Sequence, residues 1–167
     1  APDRHLCCKF ETMEALTASL QRNQLLEVYP APQGIPVIVI KSYKIRDVET
    51  DCWVQLFQDF VVVGVSQLGG KVGTFLTCEV EETEIDRKSF FNVTTLLGKR
   101  EDPLLEVYAR RITEKIAKLR VDRSVRCPGV LVAISLSKQA EGDTEMFRLL
   151  VDVLLALYKE ALLQGKR

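Results

Sequence analysis

Residues 92–112 read NVTTLLGKREDPLLEVYARRI, and the parsing of this stretch decides the fold. Its first half, residues 93–98, is β-branched and apolar like a strand and stops at Gly98. Asp102-Pro103 then opens a helix: the aspartate can cap free N–H groups, and proline at the first helical position lacks a donor that would be orphaned anyway. From there Leu105, Tyr108, Ala109, Ile112, Ile116 and Leu119 recur at helical spacing, while Arg110, Arg111, Glu114, Lys115 and Lys118 face away. A strand that runs through Gly-Lys into a helix is also where phosphates bind. This stretch lacks the chemistry: it has one glycine, no Ser or Thr after Lys99, and an Asp-Pro pair where the anion would sit.

Working outward, PGVLVAISLS (128–137) is a further strand, and Asp143 caps a final helix. Upstream, PVIVIKSYKI (36–45), DCWVQLFQDF (51–60), VVVGVSQL (61–68) and GTFLTCEVE (73–81) read as strands of an antiparallel meander, with Gly69-Gly70-Lys71-Val72 as a hairpin connection. GGKVG (69–73) lies between strands, which removes it as a nucleotide fingerprint. Residues 1–11 read as a loose end, and 13–28 as a helix with Met13, Leu16 and Leu20 on one face, closed by the linker PAPQGIP (30–36). The expected organisation is an extension over 1–35 and one domain over 36–167.

The fold class is therefore α/β of the α+β type: a sheet of about six strands, mainly antiparallel, with two C-terminal helices on one face and an added N-terminal helix. PVIVI, FVVVGV and VLVAI are continuous apolar runs, the pattern of strands buried on both faces. Two helices cover one face; the other falls to the N-terminal helix or to a second subunit, and because one short helix is too little for a sheet of about six strands, the protein is expected to dimerise. Between residues 146 and 163 fourteen of eighteen residues are apolar, so the last helix is either the central core helix or a subunit contact. Val61, Val63, Val65, Phe147, Leu150 and Leu154 are the candidate dimer or core contacts.

Composition narrows the chemistry. In 167 residues 23 basic and 23 acidic side chains cancel, and the 47% hydrophobic content allows a real core. Basic residues over 110–126 lack interleaved aromatics, which argues against nucleic acid. Arg148, Asp152, Lys159 and Glu160 in the last helix argue against a membrane span. His5 is the sole histidine, so a histidine base, triad or His-based metal site is nearly excluded. Five cysteines form no metal-ligand spacing, and Cys52, Cys78 and Cys127 fall on or beside strands, where thiols pack as small hydrophobes. The carboxylates Glu81, Glu82, Glu84 and Asp86 cluster without an apolar pocket to raise one pKa. We expect no enzyme, cofactor or metal. An odd cysteine count without an apolar leader points to a reducing compartment, the cytoplasm and the nucleus as well. The acidic run at 79–86 and the basic run at 110–126 are either solvated faces or a docking site for a charged protein.

Three blocks, VVVGVSQLGGKVGTFLTCEV (61–80), VTTLLGKREDPLLEVYARRI (93–112) and VLVAISLSKQAEGDTEMFRLLVDVL (130–154), resemble the proteasome assembly chaperone 3 family in order and spacing, and are similar to its sister, chaperone 4. The resemblance implies a non-enzymatic chaperone that binds 20S proteasome α subunits, promotes α-ring assembly as a homodimer or with a chaperone 4-like sister, and leaves when β subunits are incorporated. By position it implies an α-subunit contact in the loop over 81–89, with Glu81, Glu82, Glu84, Asp86, Arg87 and Lys88. The segments 12–36 and 120–127 depart from the family pattern, and the terminus Gln164-Gly165-Lys166-Arg167 lacks a hydrophobic-Tyr-X docking tail. The alternative is a dimeric adaptor of the longin or roadblock type, serving GTPase or trafficking complexes, which also layers helices on a small sheet.

Overall fold

The computed structural model describes residues 36–82, 89–100, 102–119, 127–140 and 142–164. The expected N-terminal helix over 13–28 lies outside them. Six strands form one sheet: β1 (Val37–Ile45), β2 (Val48–Leu56), β3 (Phe60–Ser66), β4 (Thr74–Glu82), β5 (Ser89–Leu97) and β6 (Gly129–Ser135). Helix α1 (Pro103–Lys118) follows β5, and α2 (Thr144–Gln164) follows β6 after a single 3-10 turn at Lys138–Ala140.

The strand order is β1-β2-β3-β6-β4-β5. β1 with β2, β2 with β3, β4 with β5 and β4 with β6 run antiparallel, so the sheet is mainly antiparallel. β3 and β6 run parallel, pairing Phe60 with Gly129 and Ser66 with Ser135. This corrects the meander. β3 and β4 are not a hairpin, and the glycine-containing segment after β3 carries the chain past the place that β6 later takes. Local turn chemistry at Gly69 and Gly70, both at positive φ, is the same whether the chain doubles back beside its neighbour or skips one strand width. Two strands also begin earlier than the sequence reading had them. β2 starts at Val48, across a tight turn in which Arg46 and Asp47 take positive φ, and β5 starts at Ser89, so Ser89, Phe90 and Phe91 are strand rather than loop.

One face of the sheet holds the core. Val39, Tyr43 and Ile45 of β1, Cys52, Val54 and Leu56 of β2, Val61, Val63 and Val65 of β3 and Val130, Val132 and Ile134 of β6 are all buried at alternate positions. α2 lies against β1, β2 and β3, α1 against β4, β5 and β6, and the helices touch each other. Burial of Ile112 and Ile116 on α1 and of Leu150, Leu154, Leu157 and Tyr158 on α2 removes their apolar surface from water, at about 1.5–3 kcal/mol for each large side chain. The largely apolar α2 is thus accommodated within the monomer, where ten of its residues are buried.

The continuous apolar run of β1 is not buried on both faces within one chain, whereas residues 63–66 of β3 and 132–135 of β6 are buried consecutively, as strands covered on both faces are. In β1, Val39 is buried, whereas Ile38 and Ile40 are 49% and 67% exposed. Position, not hydrophobicity, decides: alternate residues leave the sheet on opposite sides, and the helices lie on only one.

Candidate functional site

Thiol chemistry finds no support among the described residues. Cys52, Cys78 and Cys127 are buried. Burial pushes the Cys52 thiol well above its ordinary range, and the neighbouring Asp51 pushes the same way. Cys78 is also raised by burial, only partly countered by the Thr113 hydroxyl and by Arg110. Neither is poised as a thiolate nucleophile. Among the described residues no three His, Cys, Asp or Glu side chains gather as a metal site. None of the helices described is long and apolar enough to cross a membrane.

What the molecule presents is surface. Ladder registers place Ile38 and Ile40 of β1, Trp53 of β2, Phe75 of β4 and Phe90 of β5 on the sheet face away from the helices. Ile38, Ile40 and Phe90 are exposed, and Trp53 and Phe75 are half-buried. Gly64 explains how Trp53 is held: a Cβ there would lie 1.9 Å from indole Cε2, so only glycine lets the ring rest on the backbone of β3. The result is an apolar, aromatic face that no described element covers.

At one end of this sheet the three sequence blocks meet. The Gln67 backbone N–H donates to the Ser135 carbonyl at 2.8 Å, and its side-chain Oε1 accepts from the backbone N–H and the hydroxyl of Ser137 at 3.1 and 3.2 Å. Gly98 has φ +98°, and a Cβ on it would lie 2.5 Å from the Gly73 carbonyl oxygen. Beside it the Lys99 N–H donates to Thr74 Oγ1 at 3.2 Å. The glycines and polar residues shared by those blocks thereby lock β3, β4, β5 and β6 together where the chain turns.

The expected loop contact is only partly placed. Glu81 and Glu82 are the last two residues of β4, exposed, and paired with Phe90 and Ser89. Glu84, Asp86, Arg87 and Lys88 lie outside the described residues. Val61, Val63, Val65, Leu150 and Leu154 sit in the core, and Phe147 packs against it, edge-on to Tyr108 with centroids 4.5 Å apart. On those strands the outward residues are others. The sequence reading did not single out Ile38, Ile40 or Trp53. Their signal was present in the alternation of DCWVQL, where Cys52, Val54 and Leu56 point one way and Trp53 and Gln55 the other.

Comparison with known proteins adds to this geometry. Residues 63–156, more than half the chain, match the family described as proteasome assembly chaperone 3. The fold is similar to a chain in the crystal structure of a novel chaperone complex for yeast 20S proteasome assembly, with a TM-score of 0.55 and 16% identity, covering 75% of this chain and 99% of that one. No curated protein sequence matches. The matched segment runs from the middle of β3 into α2 and takes in all but the first two residues of the three blocks that meet at the turn-rich end of the sheet. The chain belongs to the proteasome assembly chaperone 3 family.

Proposed function

We propose that this protein is a non-enzymatic proteasome assembly chaperone that pairs with a second chaperone chain, a copy or a chaperone 4-like sister, and binds 20S α subunits during α-ring assembly. It leaves when β subunits are incorporated. Family membership over residues 63–156 is the observation that carries this reading. The geometry supports it in two ways. Cys52 and Cys78 are buried and raised, which favours a surface that works by contact. The sheet face around Trp53 and Ile40, which no described element covers, is an apolar surface of the sort that a like-folded partner covers. The charged segment that begins at Glu81 supplies a steering surface for the α subunit.

A tagged pull-down from cytosol, identified by mass spectrometry, tests the proposal. Recovery of α subunits without β subunits is the expected result. Recovery of small GTPase or trafficking components without α subunits would replace the chaperone reading by the adaptor one.

A further inference from the structure

The sheet face away from the helices carries its charge unevenly. One ladder row crosses all six strands there, through Ile40, Trp53, Gly64, Ala133, Phe75 and Leu97, and it is apolar from edge to edge. Acids stand on either side of it. Glu49 and Asp51 precede Trp53 along β2, and Glu79 and Glu81 follow Phe75 along β4, at positions that alternate onto the same face. β2 and β4 run in the same direction, so the two acidic pairs lie toward opposite ends of the strands. Glu49, Glu79 and Glu81 are exposed, and Asp51 is half-buried, its Oδ1 accepting from the Ser42 hydroxyl at 2.7 Å. Lys44 is the one basic residue that the described strands present on this side, and its Nζ lies 3.1 Å from Asp47 in the β1–β2 turn. With four acids against one lysine around an apolar row, the face is a poor match in charge for its own copy. A contact between two such faces brings each acidic field against the same field, and like charges brought together raise the cost of an interface. A facing sheet that carries lysines or arginines toward its ends has the opposite sign.

We propose that Glu49 and Glu79 determine which chain covers this face, disfavouring a second copy and selecting a partner sheet with basic side chains around an apolar centre. This choice rests on the reading above that a like-folded chain covers the face. Asp51 is tied to Ser42, and Glu81 borders the segment assigned to the α subunit, which leaves Glu49 and Glu79 as the determinants. The apolar row supplies the area that any partner buries, and the two glutamates supply the discrimination. Specificity built in this way needs a repulsive element against the wrong partner as well as an attractive one for the right partner.

Fluorescence anisotropy of the dye-labelled full chain, titrated with unlabelled chains, tests it. At about 0.01 M salt the Glu49→Lys/Glu79→Lys double variant is expected to bind the labelled wild-type chain several-fold more tightly than unlabelled wild type does, with Glu49→Gln/Glu79→Gln between them. The preference is expected to disappear at about 1 M salt, as the screening length falls from roughly 30 Å to about 3 Å. Both glutamates are exposed, so neither substitution enters the core. Equal affinities for all three at low salt, absent binding included, would overturn the proposal, and so would a preference that high salt leaves unchanged. If the lysine variant fails to fold, the glutamine variant decides alone, and binding no tighter than that of wild type overturns the proposal. A preference that persists when the labelled chain carries Ile40→Asp would place the contact off this face and overturn it too. Failure to recover α subunits in the pull-down, with the charge preference intact, would count against the chaperone reading alone.

Discussion

Tyr108 shows how a single buried group can set the pH limit of a fold. Its ring is fully enclosed against Phe147, and its hydroxyl has no hydrogen-bond partner among the described residues. Burial, with the negative charge of Asp143 second, pushes the phenol up to about 12. In the unfolded chain it titrates near the ordinary value of about 10. The folded state is therefore slower to give up its proton. Stability linked to Tyr108 is complete below pH 10 and is lost as pH rises toward about 12, where the unfolded state ionises first. Tyr108→Phe keeps the ring and removes the unsatisfied hydroxyl. Denaturant unfolding of the variant is expected to show equal stability at pH 7, or a gain of up to about 1 kcal/mol, with a shallower decline above pH 10. This role was not legible in the sequence, where Tyr108 is one more apolar position in the stripe with Leu105 and Ile112. Periodicity gives the face a residue occupies but not which polar atom is left unpaired there.

At the scale of elements, the helix starts were legible because their cause is local. Asp102 takes an extended conformation, its Oδ1 accepts from the Leu104 N–H at 3.1 Å, and Pro103 follows at the first turn. Asp143 repeats the device for α2, with Oδ1 accepting from the Glu145 and Met146 N–H groups at 3.0 Å each. The hydrogen bond from Lys99 holds the Asp102 carboxyl below the usual carboxylate range, so the cap persists in moderate acid and fails as pH drops through that lowered value. Asp102→Ala is expected to destabilise by about 1 kcal/mol, and for a chain of this length to lower the melting temperature by about 2–4 °C in a thermal scan. Asp102→Asn should recover most of the loss. The solvated reading of the basic helix also holds for part of its face, where Glu114 bridges Arg111 at 2.7 Å and Lys118 at 2.5 Å. The β3–β4 connection was not legible, because its geometry depends on a strand more than fifty residues further along the chain.

At the scale of the whole molecule, strand number, mainly antiparallel pairing and the two covering helices followed from composition and caps. The uncovered face did not, because the continuous run PVIVI hides an alternation that only the helices resolve. Trp53, the single tryptophan, lies on that face and reports on its fate. If a partner chain covers the face, Trp53 emission should shift to the blue as protein concentration rises, and Ile40→Asp should abolish the shift with little loss of stability, since Ile40 is exposed in the single chain. An unchanged spectrum in a sample shown by sedimentation to associate would remove the face as the contact. For the α subunit, reversing the charges of Glu81, Glu82 and Glu84 should slow association and alter its salt dependence; Glu81 and Glu82 are exposed, and exposed charges steer encounter with little effect on stability. Stopped-flow mixing at low and high salt measures it, and an unaltered rate at low salt would exclude this segment.

The placement of β6 between β3 and β4 also has a consequence in time. As the chain leaves the ribosome, β1, β2 and β3 can zip together as they emerge, and β4 with β5 can close a second ribbon. Neither group has a route to the other until β6 emerges and inserts between them. Until then β3 and β4 each offer an unsatisfied inner edge, and Val61 and Val63 have no α2 to lie under. Pairing at such sequence separation is slow, and a nascent chain in that condition is exposed to wrong partners. A protein that assists the assembly of others therefore passes through a vulnerable interval of its own, which ends only after β6 has been synthesised.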